Sequence, residues 1–521
     1  MERLPFLTMA PKENSRQIGN FLGLNTGTVI SENEFADMQN MSSDDFPAIS
    51  TRKPRGKIIK NLTTPHGLFY KNGLVYVDGT ELYYKDKKIA DVTSTDKQIV
   101  GLGAFLVIFP DKIMYNTSTE ELTSLETQWS QTSSATFAQT TKGSTMVKIS
   151  CTGIGKSFQQ FDGVEITGCT NDTFNKTTVI QEKADDYLVI IGNLSESFSQ
   201  PSGLTISRRV PDMDYICENG NRLWGCSSKN HEIYASKLGD PANWNAFEGI
   251  STDSYAATVG SDGDFTGCMS HLGYGLFFKE DAIHTIMGDK PSNFQITTVS
   301  PARGIAKGCE STACVVDETL IYAARNCICS YDGANPSSIS DAIGDYRVSQ
   351  GVAGQYDGKY YASLARNGEW ALYVFDLEKN LWHKEDGLHI RFMSYGEGEL
   401  YYIDIDGNLS TVAGNREEKI KWILESGDML DGSVEFKYLK RLLFNMKLEP
   451  GTEVDILLQY DEQKDWEKVY TYTAASYRTY ALNVIPHRCQ KYRYRLEGRG
   501  AATLIAIGKY VGYGSERHGS F

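Results

Sequence analysis

The stretch from Gly73 to Tyr84 reads GLVYVDGTELYY, an apolar strand, an Asp-Gly turn and a second strand rich in tyrosine. Valine and tyrosine favour a pleated, half-buried strand, and Asp-Gly favours a tight connection between antiparallel strands. The stretch therefore predicts a β-hairpin. Six further stretches repeat this pattern: AFLVIFPDKIMYN (104–116), NRLWGCSSKNHEIYAS (221–236), YGLFFKEDAIHTIMG (274–288), ETLIYAARNCICSYDG (318–333), DGKYYASLARNGEWALYVFD (357–376) and GELYYIDIDGNLSTV (398–412).

The spacing of these hairpins predicts a propeller. Consecutive copies start about 31, 117, 53, 44, 39 and 41 residues apart, and all but one interval approach the roughly 40 to 50 residues of a four-stranded propeller blade. One such sheet cannot bury both of its faces alone, whereas stacking around an axis covers them and leaves only short edges. We therefore predict an all-β fold, a β-propeller of about seven blades. A long β-sandwich or a β-solenoid would also contain repeated hairpins.

Two regions depart from the repeat and predict additional β-domains. Between the second and third copies lie segments such as MVKIS and DGVEITG, which indicate a small inserted β-domain. After residue 415, strand-like segments recur at intervals of about 12 to 16 residues, as in a β-sandwich. The predicted domains are an N-terminal arm at 1–60, first propeller blades at 61–124, the inserted β-domain at 125–210, the remaining blades at 211–415 and the C-terminal β-sandwich at 416–521.

Composition narrows the classes of protein that fit. The chain has 521 residues, of which 40% are hydrophobic, enough for two or three packed domains. The longest apolar run, GLGAFLVIF, is far shorter than the ~20 residues that cross a bilayer, so we expect no membrane span. The opening residues lack the basic start and apolar core of a secretion signal. The ten scattered cysteines predict buried reduced thiols, with a metal pair at Cys327 and Cys329 as the alternative.

The distribution of charged residues limits the kinds of partner that the chain is expected to bind. A net charge of −14 argues against a protein that grips nucleic acid over its whole surface. The chain has two clusters of basic residues, and three interpretations of them remain open. Each cluster could be a solvated face, a contact with an acidic neighbouring subunit, or a nucleic-acid contact. These clusters are Arg52, Lys53, Arg55, Lys57 and Lys60 near the start, and Arg488, Lys491, Arg493, Arg495 and Arg499 near the end.

Motifs that resemble catalytic or ligand sites fail in their details. SCTGIGKS (150–157) ends like a phosphate-binding loop, but Ser150 replaces the first glycine and the following residues predict a strand where a helix is needed. Asp404, Asp406 and Asn408 resemble a calcium loop, but Leu409 stands where glycine is required, so we predict a hairpin turn. We therefore expect no catalytic, cofactor-binding or metal-binding residues, and no enzymatic activity.

One region carries a resemblance to a known family. NRLWGCS (221–227), IYASKLGDPANW (233–244) and GSDGDFTG (260–267) resemble phage virion proteins that pair an N-R-L/I-W strand with a G-D-P-x-N/D-W turn. FLGLNTGT (21–28) and DDFPAISTRKPR (44–55) resemble the opening of the same group. Over about residues 18–60 and 205–410 the chain is similar to the packaged-DNA stabilisation or tail-hub proteins of short-tailed phages. The insert and the sandwich depart from the smaller members.

The resemblance implies a structural role in a bacteriophage tail. Copies would form a ring, expected to be a hexamer, as a hub, nozzle or connector between portal or adaptor proteins and distal tail proteins. DNA would pass through the lumen without sequence-specific binding, and the ring would help retain and conduct the genome. The protein would assemble in the bacterial cytoplasm and reside in the virion. The residues expected to determine interfaces or the fold are Arg52, Arg55, Arg222, Trp224, Asp240, Pro241 and Trp244.

Two other functions stay open. A tail fibre or receptor-binding protein would carry exposed tyrosine and tryptophan clusters on the C-terminal domain. A propeller glycosidase would need two carboxylates about 5 to 9 Å apart in an axial pocket.

Overall fold

The computed structural model describes residues 13–344, 347–432, 434, 436–484 and 487–512. The first residues of the predicted arm, 1–12, and the last of the predicted sandwich, 513–521, lie outside the described residues. Within the described part the chain has forty-eight strands, four short 3-10 turns and no α-helix. The 3-10 turns are Asp172–Phe174, Pro291–Asn293, Glu310–Thr312 and Asp341–Ile343. The prediction of an all-β fold is confirmed.

Five strands lie in the N-terminal segment: β1 (Glu13–Ile18), β2 (Phe35–Gln39), β3 (Met41–Ser42), β4 (Ile49–Thr51) and β5 (Lys60–Asn61). The next eight form two four-stranded antiparallel sheets, each in chain order. They are β6 (Pro65–Tyr70), β7 (Leu74–Asp78), β8 (Glu81–Tyr84), β9 (Lys87–Asp91), β10 (Gln98–Leu102), β11 (Phe105–Phe109), β12 (Ile113–Asn116) and β13 (Glu121–Ser124).

The predicted insert contains β14 (Thr127–Ser130), β15 (Ala135–Gln139), β16 (Met146–Ser150), β17 (Gly163–Thr167), β18 (Thr177–Ala184), β19 (Tyr187–Ile191), β20 (Phe198–Gln200) and β21 (Thr205–Arg208). These form one eight-stranded sheet in the order β14-β21-β17-β18-β19-β16-β15-β20. Its core holds Phe137 and Phe198, whose rings stack at 4.6 Å. The segment resembling a phosphate-binding loop is followed by β17, so no helix stands there to bind a phosphate.

Two further four-stranded sheets follow the insert, again in chain order. They are formed by β22 (Tyr215–Asn219), β23 (Arg222–Ser227), β24 (Glu232–Ala235), β25 (Tyr255–Thr258), β26 (Phe265–His271), β27 (Tyr274–Lys279), β28 (Ala282–Met287) and β29 (Gln295–Val299).

Three more four-stranded sheets have the orders β30-β31-β32-β33, β34-β35-β36-β37 and β38-β39-β40-β5. Their strands are β30 (Cys314–Val316), β31 (Thr319–Ala323), β32 (Ile328–Tyr331), β33 (Ser337–Ser338), β34 (Val348–Tyr356), β35 (Lys359–Arg366), β36 (Glu369–Asp376), β37 (Leu381–Lys384), β38 (Ile390–Gly396), β39 (Glu399–Asp404) and β40 (Asn408–Thr411).

The seven repeated hairpins of the sequence all form as predicted. Each supplies the two central strands of a four-stranded antiparallel sheet, from β7–β8 in the first to β39–β40 in the last. In the last sheet the fourth strand is β5, which pairs with β40 through Asn61 and Asn408. Asp404 closes the β39–β40 connection by accepting the N–H groups of Asp406 and Asn408, which confirms the predicted turn. A four-stranded sheet of this kind is the unit of a propeller blade.

The remaining strands are β41 (Lys421–Ser426), β42 (Lys437–Leu448), β43 (Glu453–Tyr460), β44 (Glu467–Thr473), β45 (Arg478–Val484), β46 (Arg488–Cys489), β47 (Tyr492–Arg499) and β48 (Ala502–Gly512). One sheet has the order β2-β41-β47-β43-β44, and the other has the order β3-β4-β48-β42-β45, with β1 on β48 and β46 on β42. Buried residues alternate along β43 and β47, so each strand presents one apolar face. The rings of Phe444 and Tyr494, one from each sheet, lie 5.2 Å apart.

The two C-terminal sheets contain strands that the predicted domains assign to the N-terminal arm. β1 to β4 lie within them and bury Phe35, Met38, Met41 and Ile49 completely. These apolar residues are separated by polar turns, so the short strands leave little periodicity in the sequence. Strands from the predicted arm (1–60) and from the predicted sandwich (416–521) therefore belong to the same two sheets.

The described residues fall into two compact units, a first within 13–61, 326–330 and 337–512 and a second of Leu62–Arg325 and Tyr331–Pro336. Within the second unit, consecutive sheets share cores. On β11, Leu106 and Ile108 pack with Val77 of the preceding sheet, whereas Val107 packs with Leu223 of the sheet after the insert. Because successive side chains on a strand point to opposite faces, the sheet β10–β13 is covered on both faces.

Gly498 on β47 gives a test of packing between neighbouring strands. A Cβ at this position would lie 2.0 Å from Cζ2 of the buried Trp422 ring. We expect Gly498→Ala to lower the free energy of unfolding by about 1–3 kcal/mol or more, because overpacking forces the ring to move. Urea denaturation measures this change. The control is Gly260→Ala, where a Cβ meets nothing within 4 Å; equal losses in the two variants would contradict the packing described here.

Candidate interaction sites

Arg222 is the central polar residue of the sheet β22–β25. It is buried, and its guanidinium donates hydrogen bonds to backbone carbonyls. Nη1 donates to Ser236 O and Nη2 to Ser251 O, each at 2.8 Å. Nη1 also donates to the carbonyls of Thr252 and Asp253. One arginine therefore ties the end of β24 to the loop that precedes β25.

Asp253 fixes the shape of that loop. Its buried carboxylate accepts the backbone N–H groups of Glu248 and Gly249 at 2.6 Å and of Ile250 at 3.1 Å, all through Oδ2. Hydrogen bonds to an ionised acceptor are about twice as strong as neutral ones. No sequence pattern identifies Asp253, because an aspartate in a polar loop resembles any turn residue.

Asp240, Pro241 and Trp244 form the turn that opens the same loop. Asp240 accepts the N–H of Ala242 at 3.1 Å, and the carbonyl of Pro241 accepts the indole N–H of Trp244 at 2.8 Å. Burial raises the pKa of the Asp240 carboxyl, although the hydrogen bond from Ala242 opposes the shift. Trp244 is buried in the core shared with the sheet β10–β13.

Trp224 joins the sheet β22–β25 to the sheet that follows. Its indole N–H donates to Asn219 O at 3.0 Å, and its ring lies 5.1 Å from Phe294 and 6.3 Å from Phe277. The Arg222 guanidinium lies 5.6 Å from the same Phe294 ring. The structure therefore brings all five predicted residues of this region into one sheet and its loop.

Four apolar side chains around this loop are exposed, and we call them the signature-loop patch. They are Phe161 (46% exposed), Leu238 (40%), Phe247 (55%) and Ile250 (49%). Lys237 lies over the Phe161 ring at 5.3 Å, and the N–H of Leu238 donates to Thr252 O. Phe247 stands three residues after the buried Trp244, yet more than half of its surface meets solvent.

Arg52 and Arg55 lie in the first unit, in a buried ionic cluster that we call the arginine latch. Its members are Arg52, Arg55, Glu385, Asp386 and Glu417. Arg55 Nη2 lies 2.9 Å from a Glu385 oxygen and 2.8 Å from an Asp386 oxygen. Arg52 lies 2.7 Å from Glu417, which also accepts the backbone N–H of Arg55 at 3.0 Å. Both arginines and Glu385 are nearly inaccessible to solvent.

The pKa shifts in the latch follow from burial and charge pairing. Burial lowers the pKa of the Arg55 guanidinium, but Glu385 and Asp386 outweigh it, so the pKa rises above its ordinary value. Burial raises the pKa of the Glu417 carboxyl, but hydrogen bonds from Arg52 and Arg55 lower it to about 2. Arg55 and Glu417 therefore remain charged at neutral pH.

Further polar contacts fix the segment that carries the two arginines. Ser43 donates to Asp376 at 2.6 Å, and Lys53 lies 3.2 Å from Asp357. Asp44 pairs with Lys359, and Asp37 pairs with Lys384. The acidic partners of Arg52 and Arg55 lie more than 300 residues away in the chain, so no local pattern reveals them.

The latch offers little room for a substrate. The cavity beside Arg52 and Glu385 has a volume of about 10 Å³, close to what one water molecule needs. In the described part of the chain, no group of three or more His, Cys, Asp or Glu side chains is arranged to hold a metal ion. Cys327 and Cys329 have their sulfurs 3.6 Å apart, and all ten cysteines are free thiols.

Three residues of the basic cluster near the C-terminus, Lys491, Arg493 and Arg495, form ion pairs within the chain. Arg493 and Arg495 approach Glu425, and Lys491 lies 3.1 Å from Asp428. Both arginines also lie within 6 Å of the Trp466 ring, at 5.5 and 5.9 Å. Among the residues the structure describes, no helix is long and apolar enough to cross a bilayer. Whether the predicted residues also take part in an interface between subunits stays a prediction.

Removal of Arg55 tests the latch. We expect Arg55→Met to lower the free energy of unfolding by about 3–5 kcal/mol, because Glu385 loses its nearest positive partner while remaining buried. Adding Glu385→Leu should restore part of the loss. Arg16→Met is the control, since Arg16 forms an ion pair with its side chain 67% exposed and should cost only about 0–1 kcal/mol. Equal losses at Arg16 and Arg55 would contradict the assigned burial.

His383, buried on β37, predicts acid sensitivity. Burial lowers its pKa to about 3, with Lys359 adding to the shift and Asp44 and Asp376 opposing it. The unfolded chain binds this proton below the ordinary pKa of 6.5, so stability should fall as the pH drops from about 6.5 towards 3. Between pH 7.5 and 5 the wild type should lose roughly 2 kcal/mol more than His383→Gln, measured by urea denaturation. Between pH 8.5 and 7.5 the free energy of unfolding should change equally in the wild type and in His383→Gln. Equal losses of this free energy in the two proteins between pH 7.5 and 5 would contradict the prediction.

Comparisons with known proteins leave the family open. No protein-family model matches the chain, and no curated protein sequence matches it. Among solved structures, the chain is similar to the computationally designed Ika8 protein, at 9% identity and a TM-score of 0.35 over 69% of this chain and 100% of that one. BamB from Moraxella catarrhalis is 9% identical, with a TM-score of 0.33 over 75% of this chain and 99% of that one. Phage phi92 endosialidase is 11% identical, with a TM-score of 0.17 over 80% of this chain and 56% of that one. Scores this low assign neither fold nor function, so the fold rests on the strand pairing described above.

Proposed function

We propose that this chain is a structural protein of a bacteriophage tail that forms a ring with its own copies around the DNA channel. Its further partners would be portal or adaptor proteins on one side and distal tail proteins on the other. The observation that carries the proposal is the signature-loop patch, of which Leu238, Phe247 and Ile250 lie within the segment that resembles tail-hub proteins. The absence of catalysis is part of the proposal.

The patch has the properties of an assembly surface. Leu238, Phe247 and Ile250 stand on a loop held by the buried guanidinium of Arg222 and the carboxylate of Asp253, so its shape exists before binding. Phe161 lies beside this loop, since its carbonyl accepts a hydrogen bond from the Asn243 side chain. Exposed apolar side chains grouped around one ordered loop are typical of protein interaction sites. A preformed surface binds with less loss of conformational entropy. A ring of copies, for which we propose six members, would bury these side chains.

We also propose how the sheets are organised around that role. The seven four-stranded sheets of the described chain would be seven blades of one propeller, and the two C-terminal sheets would form a β-sandwich. Support for closure comes from β5, which precedes the first sheet in the chain yet completes the last one. Support for the sandwich comes from the one-sided burial of its strands and from the Phe444–Tyr494 contact.

The charge of the chain suits a channel for DNA. A net charge of −14 gives a surface that repels phosphate, so DNA would move past it with few lasting contacts. The arginine latch keeps two of the basic residues near the N-terminus away from solvent. Retention of the genome would then depend on the fit of the ring and its partners, with no sequence-specific contact.

Light scattering combined with negative-stain imaging tests the proposal. We expect the purified protein, alone or on its portal complex, to form rings of about six copies. Phe247→Asp should shift the distribution to monomers, because it places a charge in an apolar interface. Val29→Asp, at a side chain that is 84% exposed and lies in the first unit, should leave the rings intact. Monomers under all conditions, or rings insensitive to Phe247→Asp, would contradict the proposal.

A second function has one observation in its favour. On the C-terminal sheet that contains β42 and β46, Arg488 lies 5.1 Å from the Phe436 ring and 5.3 Å from the Tyr438 ring. Both rings are exposed, at 40% and 45%. Exposed aromatic side chains beside a polar group suit a receptor or glycan, as a tail fibre would need. Binding of host-surface polysaccharide by the wild type and not by Tyr438→Ala would favour this function; equal retention by both would count against it.

A further inference from the structure

A chain of hydrogen bonds joins an aspartate, a histidine and a serine near the start of the second unit. Its members are Asp96, His66 and Ser94, which we call the serine triad. Nδ1 of His66 lies 2.9 Å from Asp96 Oδ1, and Nε2 lies 3.0 Å from Ser94 Oγ. The same order of contacts, from a carboxylate to Nδ1 and from Nε2 to a hydroxyl, activates the nucleophile of serine hydrolases on several unrelated folds.

One strand and one loop position the serine triad. His66 lies on β6, whereas Ser94 and Asp96 lie in the loop between β9 and β10. The backbone N–H of Lys97, at the end of this loop, donates to the His66 carbonyl at 2.7 Å. This backbone contact fixes the strand against the loop, so the imidazole stays beside both of its partners.

The loop that carries the serine is anchored by buried polar contacts. The buried side chain of Lys97 lies 2.7 Å from Asp111. It also donates hydrogen bonds to the hydroxyls of Thr93 at 2.7 Å and Thr95 at 3.1 Å. The N–H of Thr93 donates to Asp111 Oδ1 at 2.7 Å. The serine and the aspartate of the triad are exposed, so this anchoring holds them in place and leaves them open to solvent.

The contacts of the triad decide which atoms carry its protons. An ionised carboxylate only accepts hydrogen bonds, so Nδ1 of His66 donates to Asp96. In the neutral ring Nε2 is then the acceptor, and the Ser94 hydroxyl donates to it. The hydroxyl proton is therefore directed at the base that would remove it. A serine that is hydrogen-bonded to an oriented base in this way has the geometry of an activated nucleophile.

The backbone of the loop limits the reagents that such a serine can attack. The N–H groups of Thr93 and Lys97 are donated within the protein, and the N–H of Thr95 donates to Thr93 O at 2.9 Å. These three groups are therefore not available to stabilise the oxyanion that forms when a carbonyl is attacked. An ester with a good leaving group, such as an aryl ester, needs less of this stabilisation. Removal of the acyl group would expel the serine alkoxide, a poor leaving group, so the acyl group stays in place.

We propose that Ser94 is a nucleophile that accepts an acyl group from an activated ester. Its Oγ forms a bond to the acyl carbon, and the bond between that carbon and the aryl oxygen breaks. The hydroxyl proton passes to Nε2 of His66 and then to the departing aryl oxide, so the products are acyl-Ser94 and a phenol. Asp96 is a positioning residue that orients the imidazole.

This acylation is compatible with the proposed structural function. The acyl group stays on the serine, so each chain reacts once and there is no catalytic turnover. The serine triad shares no residue with the signature-loop patch. Failure of the acylation therefore leaves the ring proposal standing, and failure of ring assembly leaves the acylation standing.

Reaction of the full-length protein with p-nitrophenyl acetate tests the site. We expect a burst of about one equivalent of p-nitrophenolate per chain, with the acetyl group located on Ser94 by peptide mass spectrometry. Ser94→Ala should abolish the burst. The control is Ser118→Ala, which removes another exposed serine, in the turn between β12 and β13, and should leave the burst unchanged. Acetylation confined to other residues of the wild type, or no acetylation at all, would overturn the proposal.

Substitutions of the two partners test their roles, and urea denaturation checks that each variant is folded. His66→Gln should slow acetylation of Ser94 about a hundredfold or more, the factor that a general base provides. Asp96→Asn should also slow it, whereas Asp96→Glu, which keeps a carboxylate, should retain more of the rate. An unchanged rate in His66→Gln would overturn the proposal. Location of the acetyl group in the wild type keeps the test valid if a variant fails to fold.

Discussion

Neutralisation of two buried arginines is the constraint on which the position of the N-terminal segment depends. A guanidinium removed from water costs several kcal/mol unless carboxylates replace its hydration shell. Arg52 and Arg55 meet this requirement through Glu385, Asp386 and Glu417, which lie beside strands more than 300 residues further along the sequence. The segment around them therefore reaches its place only when those strands are folded. Its strands β1 to β5 then complete sheets whose other members come from the C-terminal half of the chain.

The same principle recurs on a smaller scale in the sheet β22–β25. There the Arg222 guanidinium donates hydrogen bonds to backbone carbonyls, which take the place of a carboxylate partner, and the Asp253 carboxylate accepts hydrogen bonds from backbone N–H groups. The two charges hold a loop whose outer side chains are apolar. The structure thereby combines a polar interior with an apolar surface, the reverse of an ordinary turn. This arrangement is the physical reason for proposing an assembly surface in the region.

The sequence predicts the repeating part of the fold well, because each hairpin carries its own local signal. The apolar run of β7, the tyrosine-rich run of β8 and the Asp404 turn between β39 and β40 need only neighbouring residues to be recognised. The N-terminal strands are different, since β3 and β5 have two residues each and take their pairing from distant partners. The seven predicted site residues are all found in buried or loop-forming positions, but the acidic partners of Arg52 and Arg55 depend on long-range contacts. Nothing in the sequence distinguishes the exposed Phe247 from the buried Trp244, because both are aromatic residues in the same turn-rich stretch.

Hydrogen exchange read by mass spectrometry tests most directly whether the arginine latch holds the N-terminal strands in place. The account predicts that peptides covering β2 to β5 exchange as slowly as those covering β39 and β40 in the wild type. In Arg55→Met, the N-terminal peptides should lose protection together, while the insert, residues 127–208, keeps its own. Fast exchange of β2 to β5 in the wild type would contradict the account, and so would unchanged protection in the variant.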